Sequence, residues 1–513
     1  MGVITSGARS VTTEQLMARA ARAAAALAFK GVGRGDTVAL YLRNEIAYFE
    51  VSFGASQIGA YPVAVNWHYT EDEARYLFQD CGAKVVVIHA DLLTPQVRRA
   101  IPEGVAVIVV PTPPEILAAY GIEPEAGRLP EGASDWNTWI EGFEPLESDP
   151  AQAGSTIIYT SGTTGRPKGV RRPPSTPEQT ALSMGILFKC YGFDLDAPEN
   201  ITTVTVGPLY HSAPNAHGSM AARIGANLII MPRFDAEELL RLIQDRKVTN
   251  LNMAPIMFAR LLKLPEAVKR NYDLSSLRFV AHAAAPCPPP MKRAMIEWWG
   301  PIINEYYGST EMGNVTYCTS EEWLAHPGTV GRPFPEAEVR VIDENLNDVA
   351  VREVGEVVCR IRGLVDFTYH GDEAKRRAAE KRGLIAPGDV GYFDEDGFLY
   401  LCDRAKDMII SGGVNIYPAE IEAELHKMPG VADCAVFGIP DEEYGEAVCA
   451  VVQPDPGMSL DEAEVRAFLR ERMAGYKVPR KVEFHPDLPR EDSGKIFKRK
   501  LREPFWEGLE RRI

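Results

Sequence analysis

Residues 159–170 read YTSGTTGRPKGV, crowding three glycines, three threonines, a serine and a lysine into one short stretch. Glycines free backbone N–H groups to converge on phosphate oxygens, hydroxyls add donors and a lysine adds charge, so these residue types suit an anion-holding loop. The P-loop pattern G-x-x-x-x-G-K-[ST] is supplied by no segment of the chain. Here the lysine follows a proline and a glycine follows the lysine; taken alone, the string also fits a surface turn. The preceding STIIY (155–159) reads as a short buried strand leading into the loop. Metal chemistry finds less support. The eight cysteines are scattered and form no C-x-x-C pair, which argues against a zinc ribbon or a small disulfide scaffold. DEDG at 394–397 lacks the other ligand positions of an EF-hand and reads as a turn.

A loop of this kind needs rigid elements to carry it. The first 150 residues alternate helical and strand-like segments: DTVALYL and AKVVVIHA suit buried strands, and EDEARYLFQDCG between them has helical spacing. ITTVTVG, NLIIMP, VTNLNMA and LRFVAHA continue the pattern with helices such as AEELLRLIQDRK between them, which predicts a doubly wound α/β fold. The alanine-rich ARAARAAAALAFKG reads as an amphipathic helix ending at Gly31. From about residue 328, GEVVCRIRG, VGYFDEDGFLYLCD and KDMIISGG are closely spaced strand candidates, as in a small antiparallel β subdomain. Beyond Asp403-Arg404 the chain has its own α+β pattern. With 513 residues, 45% apolar and 25% charged, the chain has globular composition and is too long for one core. Its net charge of −16 disfavours nucleic acid as a main partner. Scattered cysteines, no signal-peptide h-region and no apolar run of membrane-spanning length lead us to expect a soluble, cytoplasmic protein without a transmembrane segment.

Other motifs stand with the loop in a fixed order: PLYHSAPN (208–215), YYGSTE (306–311), PGDVGYFDEDG (387–397), DRAKDMIISGGVNIYP (403–418) and LPREDSGKIFKR (488–499). Together with YTSGTTGRPKGV and the stretch 54–87, they resemble the adenylate-forming superfamily of acyl- and aryl-CoA synthetases, luciferases and peptide-synthetase adenylation domains. The resemblance covers essentially the whole chain. It implies a large N-terminal AMP-binding domain (1–402, with the β subdomain at about 328–402) and a small mobile α+β domain (403–513) that carries a catalytic lysine. It also implies an ATP-dependent, AMP-forming acid–thiol ligase that uses ATP, Mg²⁺, coenzyme A and a small-molecule carboxylic acid; a homodimer is left open.

The chemistry explains why such residues are needed. A carboxylate is a poor acylating agent, and attack on the α-phosphate of ATP turns it into an acyl-adenylate with a good leaving group. Two anions must meet first, so the site needs positive charge and oriented donors. The resemblance assigns Thr160, Ser161, Gly162, Thr163, Thr164, Gly165 and Lys168 to the β- and γ-phosphates. Thr310 would contact the α-phosphate and Glu311 would hold Mg²⁺. Tyr307 and Gly308, with Ala284 and Ala285 of HAAAPCP, would form the adenine slot; Tyr306 reads as core packing. Asp389 would grip the ribose hydroxyls, with Arg404 as a further ribose or phosphate contact and Lys406 beside it. Lys495 matches the lysine that bridges the substrate carboxylate and the α-phosphate. Asp403 matches a hinge, while Ser411, Gly412 and Gly413 would face the site in the thiol step or else form a plain hairpin turn.

His211 matches a position beside the acyl carboxylate and is expected to orient rather than transfer protons. His217 has no clear role. Ala213, Ala283, Ala284 and Ala285 suggest a roomy apolar pocket with no obvious charged group at its far end. That disfavours amino acids and favours a hydrophobic acid, either aryl (hydroxycinnamate-like) or medium- to long-chain fatty. Three positions depart from the family pattern: Pro387 where threonine is common, Val414 for a frequent glutamate, and Glu491 close to the lysine. The alternatives are a module loading a carrier protein, a luciferase-like oxidative enzyme, and a silent adenylate-binding protein. Intact Lys168, Glu311, Asp389 and Lys495 argue against silence.

Overall fold

The computed structural model describes residues 2–147, 154–160, 167–370, 372–404, 407–412, 414–441, 443–490 and 496–507, without the side chains of Lys375, Asp403 and Arg404. Among the expected site residues, Ser161, Gly162, Thr163, Thr164, Gly165, Lys406, Gly413 and Lys495 lie outside the described residues, as does Glu491.

Two largely parallel sheets form the bulk of the molecule. In one, Thr202–Thr205, Asn227–Ile230, Asn250–Met253, Phe279–His282 and Ile303–Ser309 run parallel, and Gly313–Cys318 turns back antiparallel beside the last. In the other, Thr37–Tyr41, Tyr61–Ala64, Val85–His89, Ala106–Val110 and Ile157–Thr160 run parallel. The sequence pattern thus resolves into two doubly wound sheets. Most of their strand residues are buried on both faces because helices cover both sides. Thr13–Phe29 and Ile46–Gln57 pack between the sheets, joining Leu16, Ala20 and Ala23 to Val38 and Leu40 on one side and Leu228 and Ile230 on the other. Alanines permit the close contact: a Cβ at Gly54 would lie 2.8 Å from the Ala20 carbonyl oxygen. The helix Glu71–Cys81 starts at a capping box, with the Thr70 side chain accepting from the Glu73 backbone and Glu73 accepting from Thr70 N–H.

An antiparallel sheet of Ala337–Ile342, Gly355–Ile361, Asp389–Phe393 and Leu399–Arg404 follows. KDMIISGG does not belong to it, contrary to the sequence reading. Ile409–Ser411 instead hydrogen-bonds into the last sheet, beside Val414–Ile416 and Gly445–Pro454. Strand propensity carries no partner identity, and the apolar core of Ile409, Ile416, Val436 and Val448 decides the pairing. The last sheet packs on Pro418–Leu425 and Glu462–Arg470 around that separate core.

Beneath the Ile303–Ser309 strand lies a buried charge cluster that the sequence reading did not anticipate. Lys292 Nζ donates to Glu305 Oε2 at 2.6 Å, and His282 Nε2 lies 3.3 Å from the same oxygen. Burial alone would raise the Glu305 carboxyl, but the Lys292 ammonium holds it below its ordinary value, while burial keeps His282 neutral. A depressed carboxyl contributes stability above its unfolded pKa and loses it as pH falls through the folded value. Lys292→Met removes the partner and leaves a buried carboxylate, so we expect a loss of about 3–5 kcal/mol near neutral pH. The deficit shrinks toward pH ~5 as the unpaired Glu305 takes up a proton, and Lys292→Met/Glu305→Gln recovers most of it. Denaturant titrations at the two pH values check the sign.

Candidate active site

The strands on either side of the glycine-rich stretch pair in register. Thr160 on the incoming strand stands opposite Lys168 on the outgoing strand Lys168–Arg171. Two residues of the helix Glu71–Cys81 tie the two sides. The Asp80 carboxylate accepts from the Tyr159 hydroxyl at 2.6 Å and from the Tyr76 hydroxyl at 3.3 Å, and Tyr76 also reaches the Pro167 carbonyl at 3.2 Å. Burial and the Asp80 charge raise the Tyr159 pKa, so its hydroxyl stays a donor. Tyr76 and Asp80 went unnoticed in the sequence because their i,i+4 spacing on an amphipathic helix is ordinary. Lys168 Nζ lies 5.0 Å from the Tyr369 ring centroid.

The YYGSTE segment enters from the end of the other sheet. Gly308 is required there: a Cβ would sit 2.3 Å from the Gly313 carbonyl oxygen, and the pairing shifts register between Tyr307 and Gly308. Ser309 Oγ then accepts from the N–H groups of Glu311 and Met312, which turns the chain back. The result aims Glu311 at the glycine-rich strand pair. Its Oε1 accepts from the Thr160 hydroxyl at 3.2 Å and the Tyr369 hydroxyl at 3.4 Å. Tyr307 donates to Asp389 Oδ2 at 2.6 Å, placing the expected adenine-stacking and ribose-binding groups side by side. Ala284, which lines the same cleft as Tyr307, is held at φ 76°, a conformation that costs a non-glycine residue about 1–2 kcal/mol.

Thr160, Lys168, His211, Ala284, Ala285, Tyr307, Gly308, Thr310, Glu311 and Asp389 all line one cleft of about 3050 Å³. That is larger than the roughly 300–1,000 Å³ of a single small-ligand pocket. Glu305, on the Tyr307 face of its strand, also reaches the cleft, so this wall is not free of charge. Tyr306 is buried and hydrogen-bonded to Asn252 at 3.1 Å, as core packing requires. His211 stands at the N-cap position of the helix Ser212–Ile224, with no side-chain bond to the helix N–H groups, and lines the cleft. His217 is buried against the Thr203 hydroxyl, and burial lowers its pKa to about 3, which makes it a neutral core group. Arg404 pairs through its backbone with Asp389. Ser411 and Gly412 turn the 409–416 hairpin and do not line the cleft. Arg490 and Ile496, on either side of Lys495 in the sequence, bridge antiparallel and line the same cleft. Arg490 pairs with Asp433 at 2.5 Å and Lys498 with Glu422 at 2.8 Å.

The oxygens around Glu311 are its carboxylate and the hydroxyls of Thr160 and Tyr369, hard ligands that fit Mg²⁺ and not a soft metal. Two histidine–carboxylate groups elsewhere are accounted for by other partners. Asp433 is taken by Arg490, and Asp394 accepts from the N–H groups of Asp396 and Phe398, which closes the DEDG turn.

Paired strands bracketing a glycine-rich stretch, the Glu311 carboxylate of the GSTE turn and the Tyr307–Asp389 pair meet in this one cleft. The chain belongs to the AMP-binding enzyme family, which matches residues 2–366, with the AMP-binding enzyme C-terminal domain matching 420–495. It is 32% identical over 498 residues to the long-chain-fatty-acid–CoA ligase FadD13 of Mycobacterium tuberculosis, covering 96% of this chain and 93% of that protein. It is 32% identical over 501 residues to a feruloyl-CoA synthase of Amycolatopsis sp, covering 97% and 95%. The ATP-bound structure of MatB from Rhodopseudomonas palustris superposes with a TM-score of 0.84 at 28% identity, covering 98% of this chain and 96% of that one. No described helix is long and apolar enough to cross a membrane.

Two outcomes test the geometry. Asp80→Ala removes the acceptor that holds the Tyr159 and Tyr76 hydroxyls beside the loop and is expected to raise the KM for ATP roughly tenfold, a cost of about 1.4 kcal/mol; steady-state kinetics read it. Ala284→Gly relieves the left-handed backbone and is expected to stabilise the protein by up to about 1 kcal/mol in thermal melts while weakening nucleotide binding.

Proposed function

We propose that the protein is an ATP-dependent, AMP-forming acid–CoA ligase acting on a hydrophobic carboxylic acid. The observation that carries this reading is the convergence on Glu311: the incoming loop strand, through Thr160, and the GSTE turn meet at one carboxylate, in the cleft that also holds the Tyr307–Asp389 pair. In this reading Tyr307 packs on adenine, Asp389 holds the ribose, and Glu305 offers an acceptor on the same strand face. Thr310 contacts the α-phosphate, and Lys168 with the 161–165 stretch contacts the β- and γ-phosphates. Glu311 holds Mg²⁺, which when bound neutralises phosphate charge. Lys495 brings its ammonium to the acyl carboxylate and the α-phosphate, where negative charge concentrates in the transition state. The acyl group then passes from the adenylate to the thiol of CoA, the C–S bond forming as the bond to AMP breaks, AMP leaves and the thiol loses its proton, with residues from 403 onward forming a lid whose movement excludes water and readmits the thiol.

The acyl side of the cleft supports a hydrophobic acid. Ala213, Pro214, Ala254, Ile256 and Met257 line it, with His211 at its rim. The names of the two sequence relatives, a fatty-acid ligase and a feruloyl-CoA synthase, span the two classes of acid we favour.

CoA-dependent AMP release measured across aryl and fatty acids tests the reading. Release with at least one hydrophobic acid is expected. ATP binding without turnover of any acid would overturn the reading, and pyrophosphate exchange without thioester formation would point to a carrier-protein thiol as acceptor. Lys495→Ala is expected to abolish adenylate formation, by about 100-fold or more, while sparing thiolysis of a supplied acyl-adenylate. Equal loss of both half-reactions would remove Lys495 from the role assigned here.

A further inference from the structure

Two arginines follow the loop's lysine, and strand alternation sends them to opposite faces. Arg171 stacks 4.1 Å from the Tyr61 ring and donates to the Gly35 carbonyl at 3.3 Å, away from the cleft. Arg172 points inward. Its Nη2 donates to the Thr310 carbonyl at 3.1 Å and the Glu311 carbonyl at 2.7 Å, and its Nη1 donates to the Val365 carbonyl at 2.7 Å. One guanidinium therefore joins the outgoing strand of the loop, the GSTE turn and the segment leading to Tyr369.

Its charge is the second part of the observation. Arg172 forms no ion pair among the described residues. The nearby Asp366 carboxylate is taken by Arg376, through two bonds of 2.9 Å, and by Arg360 at 3.2 Å. Carbonyl oxygens satisfy the Arg172 donors without cancelling its charge. The guanidinium is half-buried, and positive charge reaches farther where protein has displaced water than through water itself.

We propose that Arg172 is a positioning residue for the metal–phosphate motif: it fixes the Thr310–Glu311 backbone so that the Glu311 carboxylate faces Mg²⁺·ATP, and it adds positive charge behind the phosphates. This rests on the ligase reading above. A lysine keeps the charge but cannot span two successive carbonyls and a third with one planar fork.

The test compares Arg172→Met, Arg172→Lys and the control Arg171→Met with the wild type. Calorimetry measures affinity for α,β-methylene-ATP with and without Mg²⁺, and pyrophosphate exchange is followed against Mg²⁺ concentration. Arg172→Met is expected to lose about tenfold in affinity for the Mg²⁺ complex, with a smaller loss for the metal-free analogue. Its half-maximal Mg²⁺ concentration is expected to rise about tenfold, with Arg172→Lys intermediate. Thiolysis of a supplied acyl-adenylate should stay within about twofold of wild type. Wild-type Mg²⁺ dependence in both variants overturns the inference, and so does an equal loss with and without Mg²⁺. If Arg172→Met does not fold, Arg172→Lys carries the same two outcomes. A wild-type protein that does not bind the Mg²⁺ complex overturns the ligase reading and this inference together, whereas wild-type binding with unaltered variants overturns this inference alone.

Discussion

Three distant segments of the chain converge on the Glu311 carboxylate, which in the proposed function stands where a triphosphate binds, and the surrounding structure makes that arrangement tolerable. Hydroxyls from Thr160 and Tyr369 donate to its carboxylate, and Arg172 holds its backbone carbonyl. These partners come from different segments, so the carboxylate takes its position only when the two parallel sheets are docked. In the proposed function, a hard cation held there would turn the local charge from repelling phosphate to attracting it. Activating one anion with another depends on that reversal, and the framework is built to keep it in place.

Several features of the framework make sense as the cost of that placement. The Gly308 approach and the register shift beside it re-aim three residues at a strand end, something an unbroken ladder cannot do. Ala284 accepts a left-handed backbone in the same cleft. Lys292 and Glu305 hold opposite charges below the same strand, exchanging solvation for a short bond. Such pairs are weak sources of net stability, but each member makes the loss of the other expensive, and the strand that presents Tyr307 is held accordingly.

Much of the fold was legible in the sequence. The alternation of apolar runs and amphipathic helices predicted the doubly wound α/β body, and strands at DTVALYL, AKVVVIHA, VTNLNMA and LRFVAHA form where the pattern puts them. Ile409–Ser411 shows the limit: it has a clear strand pattern, yet which sheet takes it is set by an apolar core assembled from residues far along the chain. The site divides the same way. Thr310, Glu311, Tyr307 and Asp389 were recognisable because short motifs carry them, whereas Asp80, Tyr76, Arg172 and Lys292 sit in segments whose local pattern is that of any helix or strand.

The sequence by itself determined the residue types at the site and the order in which they occur, because a glycine-rich loop, a GSTE turn and an aspartate after a glycine turn each need particular residues at fixed local spacing. The tertiary structure alone decided which groups share a hydrogen bond: Thr160 with Glu311 across 151 positions, Tyr307 with Asp389 across 82, and Arg172 with Glu311 across 139. Local spacing is set by covalent geometry and is written in the chain. Contacts between distant segments follow from sheet register and from the packing of shared cores, and these are properties of the whole assembled molecule.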